Sequence, residues 1–149
     1  MLSKNLQEAL NHQINAELYS SYLYLSMAAW FESQNLSGFA NWMKVQNEEE
    51  LFHVMKFFEF IHNRSGRVIL ETVEGPPTEW ESPLEVFKDA LDHEKKVSGL
   101  INKLVKIARD ENDFAADNFL QWFVSEQVEE ESSVDGVVQK LKLIGSEGA

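Results

Sequence analysis

Apolar residues recur every three or four positions along four long stretches of the chain. This spacing places them on one face of an α-helix, so the pattern predicts four amphipathic helices. We expect these helices over residues 4–33, 37–64, 83–109 and 113–144. All three prolines fall between residues 76 and 83, where an irregular segment is expected. Four helices of similar length, each with one apolar face, predict an all-α four-helix bundle.

The predicted helix ends carry residues that are typical of caps. Ser82-Pro83-Leu84-Glu85 is a capping box with proline at the first helical position. The other candidate caps are Ser3, Ser37, Asn112 or Asp113, Gly66 and Gly145. These signals support the four predicted helices.

The lengths of the connections indicate the topology. The first and third links are only a few residues long, so each should join an antiparallel helical hairpin. The middle link, residues 65–81, can span about 56 Å when extended, whereas a helix of 28 residues is about 42 Å long. We therefore expect a crossover along the whole bundle, with a surface loop as the alternative.

Length, charge and composition narrow the class of protein. The 149 residues fit one domain, 1–149. The absence of cysteine excludes zinc fingers, thiolate-bound iron–sulfur clusters and a disulfide framework. A net charge of −12 argues against partners such as nucleic acid or anionic lipid and favours metal cations. The first residues lack the apolar core of a signal peptide and no stretch is long enough to span a membrane, so a cytoplasmic protein is expected.

Each apolar face is interrupted by polar residues near its middle, and these interruptions lie at similar heights. Counted from the short turns, Glu17 and Glu50 fall within one helical turn of each other, as do Glu94 and Glu130. The whole set of interruptions is Glu17, Glu50, His53, Glu94, Gln127 and Glu130. The pattern predicts that these side chains converge at mid-bundle.

A single buried acid is more often hydrogen-bonded or solvated than a ligand. Four ionised carboxylates in an apolar core, however, would repel one another and lose hydration unless they were protonated or held cations. Two divalent cations would balance four carboxylates, with His53 and Gln127 as neutral donors. Carboxylate oxygens with one imidazole suit iron or manganese better than copper. The sequence therefore predicts a dinuclear metal site.

Several segments resemble the ferritin-like di-iron proteins. Glu50-Leu51-Phe52-His53 matches the Glu-x-x-His motif of that family, while Gln127-Val128-Glu129-Glu130 departs from it. This departure, with glutamine in place of the motif's glutamate and glutamate in place of its histidine, resembles the pattern of non-haem ferritins and not that of bacterioferritins. The segments 15–24 and 118–131 are also strongly similar to prokaryotic non-haem ferritins. The resemblance covers nearly the whole chain.

The resemblance implies roles for particular residues. Glu17, Glu50 and His53 match the first iron site. Glu94 and Glu130 match the second site, with Glu50 bridging and Gln127 alongside. The acids of a third iron site in many prokaryotic ferritins match Glu49, Glu126, Glu129 and Glu130, although acidic runs on a solvated helix face are the alternative.

The resemblance extends to two aromatic residues and to the absence of haem. Tyr24 matches a tyrosine that acts as an electron donor, with core packing as the alternative, and Trp122 is weighed in the same way. Leu51 stands where bacterioferritins carry their haem-binding methionine, so no haem is expected. The lack of cysteine excludes the rubredoxin module of rubrerythrins.

The resemblance also implies a function and an assembly. It implies a ferroxidase that oxidises Fe²⁺ with O₂ or H₂O₂ and stores Fe³⁺ as mineral in a shell of 24 copies. Family members add a short fifth helix, which we expect to be absent from this chain because the sequence stops near where it would begin. Four acids lie where the family places its three-fold pores: Asp110, Glu111, Asp113 and Asp117. The alternative role of these acids is to complement the helix dipole.

Two other functions remain open from the residues. A di-iron oxidase or peroxidase acting on small molecules would use the same ligands, remain a small oligomer and stop after about two irons per chain. A metal-free structural bundle would bind no stoichiometric metal, and the four converging acids speak against it.

Overall fold

The computed structural model describes residues 1–145, which form four helices and no strand. The helices are α1 (Lys4–Ser33), α2 (Ser37–Asn63), α3 (Pro83–Asp110) and α4 (Phe114–Ile144). Their bounds agree with the predicted ones to within one residue, and the all-α class is confirmed. The expected absence of a fifth helix concerns residues 146–149, which lie outside the described residues. None of the helices within 1–145 is long and apolar enough to cross a membrane.

Two compact units make up the chain, the first being Met1–Glu79 and the second beginning at Trp80. The first unit contains α1 and α2, which pack along each other as an antiparallel hairpin. The positions of α1 that recur every three or four residues along its core-facing side are all buried, because this spacing matches the helical repeat. These positions are Leu6, Leu10, Gln13, Glu17, Ser20, Tyr24, Met27 and Phe31.

The segment between α2 and α3 follows α1 from near its beginning toward its end. The Arg67 amide donates to Gln7 Oε1, the Asn15 Nδ2 group donates to the Thr72 carbonyl, and Ser26 Oγ donates to the Pro77 carbonyl. Asn11 both donates to the Arg67 carbonyl and accepts from the Ile69 amide, each at 2.9 Å. Between Gln7 and Ser26 the helix rises about 28 Å. The predicted crossover is therefore confirmed and is bound to α1 along its course.

The second unit contains α3 and α4, which form the second antiparallel hairpin. Phe87, Ile101, Leu120 and Phe123 fill its buried face. Burial decreases toward the end of α4, where Val137 and Leu141 are only partly buried and Ile144 is 52% exposed. At this end Val138 is buried instead.

Three helix ends are built in the same way. Asn35, Ser65 and Asn112 have φ of 60°, 62° and 56°. In each case the next amide donates to a carbonyl five residues earlier: Leu36 to Phe31, Gly66 to Ile61 and Asp113 to Ala108. This is the Schellman arrangement, which satisfies carbonyls that the helix leaves without a partner. Gly66 thus contributes to the end of α2 as predicted, but Ser65 adopts the left-handed conformation.

The predicted N-caps are confirmed except one. Ser3, Ser82 and Asp113 accept from the amides of Leu6, Glu85 and Ala116 at 3.0, 3.2 and 3.0 Å. Ser37 was predicted to cap α2, but the helix begins at Ser37 and Leu36 precedes it without a side-chain cap. The reason is the tight link: the Leu36 amide closes α1 while its carbonyl accepts from Ala40 and opens α2.

Candidate metal centre

In the first unit, two acids and a histidine meet inside the hairpin. Glu17 comes from α1, and Glu50 and His53 come from one face of α2; each is 1% exposed. One ligand atom from each of the three lies within 4.8 Å of the others. Oxygen and imidazole nitrogen donors at this spacing suit a divalent cation such as Fe²⁺.

Hydrogen bonds hold Glu17 and His53 in this cluster. The Gln13 amide donates to Glu17 Oε1 at 3.1 Å, and His53 Nδ1 lies 3.3 Å from Glu50 Oε2. The second oxygen, Glu17 Oε2, is buried with no hydrogen bond and lies 3.8 Å from His53 Nδ1. One lone-pair acceptor of Glu17 is therefore available to a cation.

The pKa of Glu17 is lowered from its ordinary value of 4.5. Burial alone raises this pKa, since it disfavours the charged form. The nearby Glu50 and His53 side chains, the charge of His53 and the hydrogen bond from Gln13 together lower it by more. Glu17 is thus ionised near neutral pH, which is the form that binds metal.

The second unit buries Glu94 on α3 together with Gln127 and Glu130 on α4, at 0%, 5% and 5% exposure. Gln127 Nε2 lies 3.2 Å from each of three acceptors: the Glu94 carbonyl, Glu94 Oε2 and Ser98 Oγ. Ser98 Oγ in turn donates to Glu131 Oε2 at 2.5 Å. Glu94 and Gln127 of the predicted second set therefore share a hydrogen-bonded network with Ser98 and Glu131 within this hairpin.

The remaining predicted residues differ in burial. Tyr24 is fully buried on the face of α1 that carries Glu17. Trp122 is 38% exposed, with its ring centroid 4.9 Å from that of Phe123. Of the acids predicted for a third iron site, Glu130 is buried, Glu126 is partly buried, Glu49 is not buried and Glu129 is exposed. Glu126 lies one turn before Glu130 on α4.

The acids near the α3–α4 turn have local partners. Asp110 pairs with Lys106 at 2.9 Å, and Asp117 pairs with Arg109 at 3.3 Å. Asp113 caps α4. These contacts support a structural role for the acids at this turn.

Three partner residues received no role in the sequence analysis. Each of them lies four residues from a predicted ligand: Gln13 from Glu17, Ser98 from Glu94, and Glu131 from Gln127. Four residues is one helical turn, so this spacing is the signal that marks them. Glu131 was obscured by the acidic run around it.

Comparisons with known proteins agree with this arrangement. The sequence-family model described as the ferritin-like domain matches residues 7–144 of this chain. The bacterial non-heme ferritin of Bacteroides fragilis is 47% identical over 99% of this chain and 93% of its own. That of Staphylococcus epidermidis is 41% identical over 99% of this chain and 89% of its own.

Solved structures give the same result for the fold. An open pore ferritin from the hyperthermophilic archaeon Archaeoglobus fulgidus is 55% identical with a TM-score of 0.98, over 99% of this chain and 91% of its own. The four helices thus adopt the predicted four-helix bundle fold. Because the family model spans almost all of the described residues, this chain belongs to the ferritin-like family.

Proposed function

We propose that this protein is an iron-storage ferritin with ferroxidase activity, which oxidises Fe²⁺ at a dinuclear site and stores Fe³⁺ as mineral. The buried group of Glu17, Glu50 and His53 carries the proposal. A low-dielectric environment holds two acids side by side there, and a divalent cation compensates their charge.

The charge of the full ligand set fits two iron ions. Glu17, Glu50 and His53 bind the first Fe²⁺. Glu94 and Glu130 bind the second, with Glu50 as the bridge and Gln127 alongside. Four carboxylates neutralise two divalent cations, so the loaded site carries no net charge into the protein interior.

The electron balance of the reaction follows from two ions at one site. Each Fe²⁺ gives up one electron, and the two electrons with two protons convert O₂ to H₂O₂ or H₂O₂ to two waters. The protein fixes the ions at a set distance and supplies their compensating charge. The oxidised Fe³⁺ then leaves for the mineral, and the second site, which has no imidazole ligand, releases it more readily.

Further residues extend the proposal. Glu49, Glu126, Glu129 and Glu130 form a third iron site. Tyr24 is fully buried two turns from Glu17 on the same helix face, about 10 Å along the axis, and serves as an electron donor. Trp122 is partly exposed and stays a candidate donor. No haem is expected.

Replacing the bridging acid tests the ferroxidase. We expect Glu50→Ala to abolish rapid aerobic oxidation of Fe²⁺, because both iron positions lose a ligand. The measurement is the initial rate of Fe³⁺ absorbance after adding two Fe²⁺ per chain. Glu59→Ala is the control, since Glu59 is an exposed acid on the same helix. Oxidation by the Glu50 variant at the rate of the unaltered protein would contradict the site.

A further inference from the structure

The Gln127 side chain can present either its oxygen or its nitrogen to a neighbour, and the two choices have different chemistry. The nitrogen donates hydrogen bonds and cannot bind a cation, whereas the oxygen accepts. Around the Nε2 atom lie the Glu94 carbonyl, Glu94 Oε2 and Ser98 Oγ, all at 3.2 Å. The contacts that set the orientation of the Gln127 amide therefore also decide whether its nitrogen or its oxygen faces Glu94.

The Ser98 hydroxyl has one proton, and its direction decides what the oxygen offers to Gln127. Ser98 Oγ donates this proton to Glu131 Oε2 at 2.5 Å. Its lone pairs are then directed toward Gln127 as acceptors. A reversed amide would place the Gln127 oxygen against three acceptors, so only one orientation is compatible with the network.

We propose that Ser98 and Glu131 are positioning residues that orient the Gln127 amide and, through it, hold the Glu94 carboxylate for the second cation. This inference rests on the proposed function, because it takes Glu94 as a ligand of that cation. Neither residue touches the cation. They act as the hydrogen-bonded outer layer that orients metal ligands and tunes their affinity.

The first hairpin contains a related contact. Gln13 Nε2 donates to Glu17 Oε1 at 3.1 Å, so in each unit a glutamine amide is directed at a buried predicted ligand. Gln13 lies one turn before its acid on the same helix. Gln127 reaches its acid from the neighbouring helix, and Ser98 on that helix provides an additional anchor.

Cobalt(II) binding to the metal-free protein tests the proposal without any turnover. Titration under anaerobic conditions, followed by visible absorption and by heat, gives the stoichiometry and affinity of each bound ion. We expect two tightly bound ions per unaltered chain. In Ser98→Ala the second ion should bind on the order of tenfold more weakly while the first is unchanged.

Three further variants distinguish positioning from general packing. Ser98→Thr keeps the hydroxyl and should restore both affinities. Glu131→Ala frees the Ser98 proton and should weaken the same ion. The double variant that combines Ser98→Ala with Glu131→Ala should weaken binding of the second ion no more than Ser98→Ala alone, because Glu131 acts through Ser98. Ser133→Ala, an exposed change on α4, is the control and should bind as the unaltered protein does.

The outcomes separate this inference from the proposed function. Fewer than two ions on the unaltered chain would contradict the dinuclear site itself. Two ions on the unaltered chain, with both affinities unchanged in Ser98→Ala, would overturn only the positioning role. Equal losses in the Thr and Ala variants would do the same. If Ser98→Ala fails to fold, Glu131→Ala carries the test, since Glu131 is only half-buried.

Discussion

Asn35, Ser65 and Asn112 carry side chains yet adopt a positive φ, each at the end of a helix. Asparagine tolerates this conformation comparatively well because its short polar side chain bonds locally, whereas serine gains less from it. Ser65 is therefore the most strained of the three helix ends.

Replacing Ser65 by glycine should stabilise the metal-free protein. Glycine has no Cβ and adopts φ of 62° without the steric cost of about 1 kcal/mol. We expect a higher midpoint of thermal unfolding, followed by circular dichroism. Ser133→Gly should give the opposite sign, since glycine inside α4 costs about 0.5 kcal/mol relative to serine. A lower midpoint for Ser65→Gly would show that this residue is not strained.

The buried polar residues of the candidate site were predictable from the sequence because they interrupt an apolar face. Glu17, Glu94 and Gln127 stand out for this reason, and all three are buried in the structure. Ser98 and Glu131 could not be assigned in this way, because a hydroxyl on a helix and an acid in an acidic run are common on surfaces. Their spacing places each of them one turn from a predicted ligand, but the roles proposed for them also depend on contacts between two helices, which spacing along one helix does not reveal.

The crossover is an element without regular structure, and side chains of α1 satisfy several of its backbone groups. Asn11, which is 8% exposed, is the main anchor because it bonds both the Arg67 carbonyl and the Ile69 amide. Asn15 makes one such bond, to the Thr72 carbonyl, in an exposed position.

Asn11→Ala should loosen the crossover. Two part-buried backbone groups lose their partners, which costs about 1–3 kcal/mol each when no water replaces the amide. We expect a lower unfolding midpoint and faster cleavage within residues 69–79 by a nonspecific protease. Asn15→Ala is the matched control and should have a smaller effect on both. Equal behaviour of the two variants would argue against Asn11 as the anchor.

The helices themselves were predictable because their signals are local. Periodicity and caps depend on residues a few positions apart, and the bounds agree to within one residue. The errors arise where a distant or neighbouring element decides the outcome. Ser37 lost its predicted capping role to the tight link at Leu36, where one residue both closes α1 and opens α2.

For the whole molecule, apolar side chains on the first unit remain exposed. On α1 and α2 they include Tyr22, Phe52 and Met55 at 47%, 56% and 48%, and on the crossover Leu70 at 65%. Exposed apolar residues of this size favour contact with other protein surfaces. They are consistent with the shell that the family resemblance implies, a level of organisation that the apolar pattern alone did not predict.

Assembly and storage are tested together on a sizing column with mass detection. We expect a particle of 24 chains that, after aerobic loading with excess Fe²⁺, keeps its radius and gains far more than two irons per chain. A small oligomer that stops at about two irons per chain would instead indicate a di-iron oxidase or peroxidase. Failure to retain any iron would indicate a metal-free bundle.

Gln13 and His53 hold Glu17 in place before any ion arrives. These side chains lose their conformational entropy when the protein folds and not when the metal binds. If Glu17, Glu50 and His53 bind the first ion as we propose, these ligands are preorganised and binding requires little rearrangement.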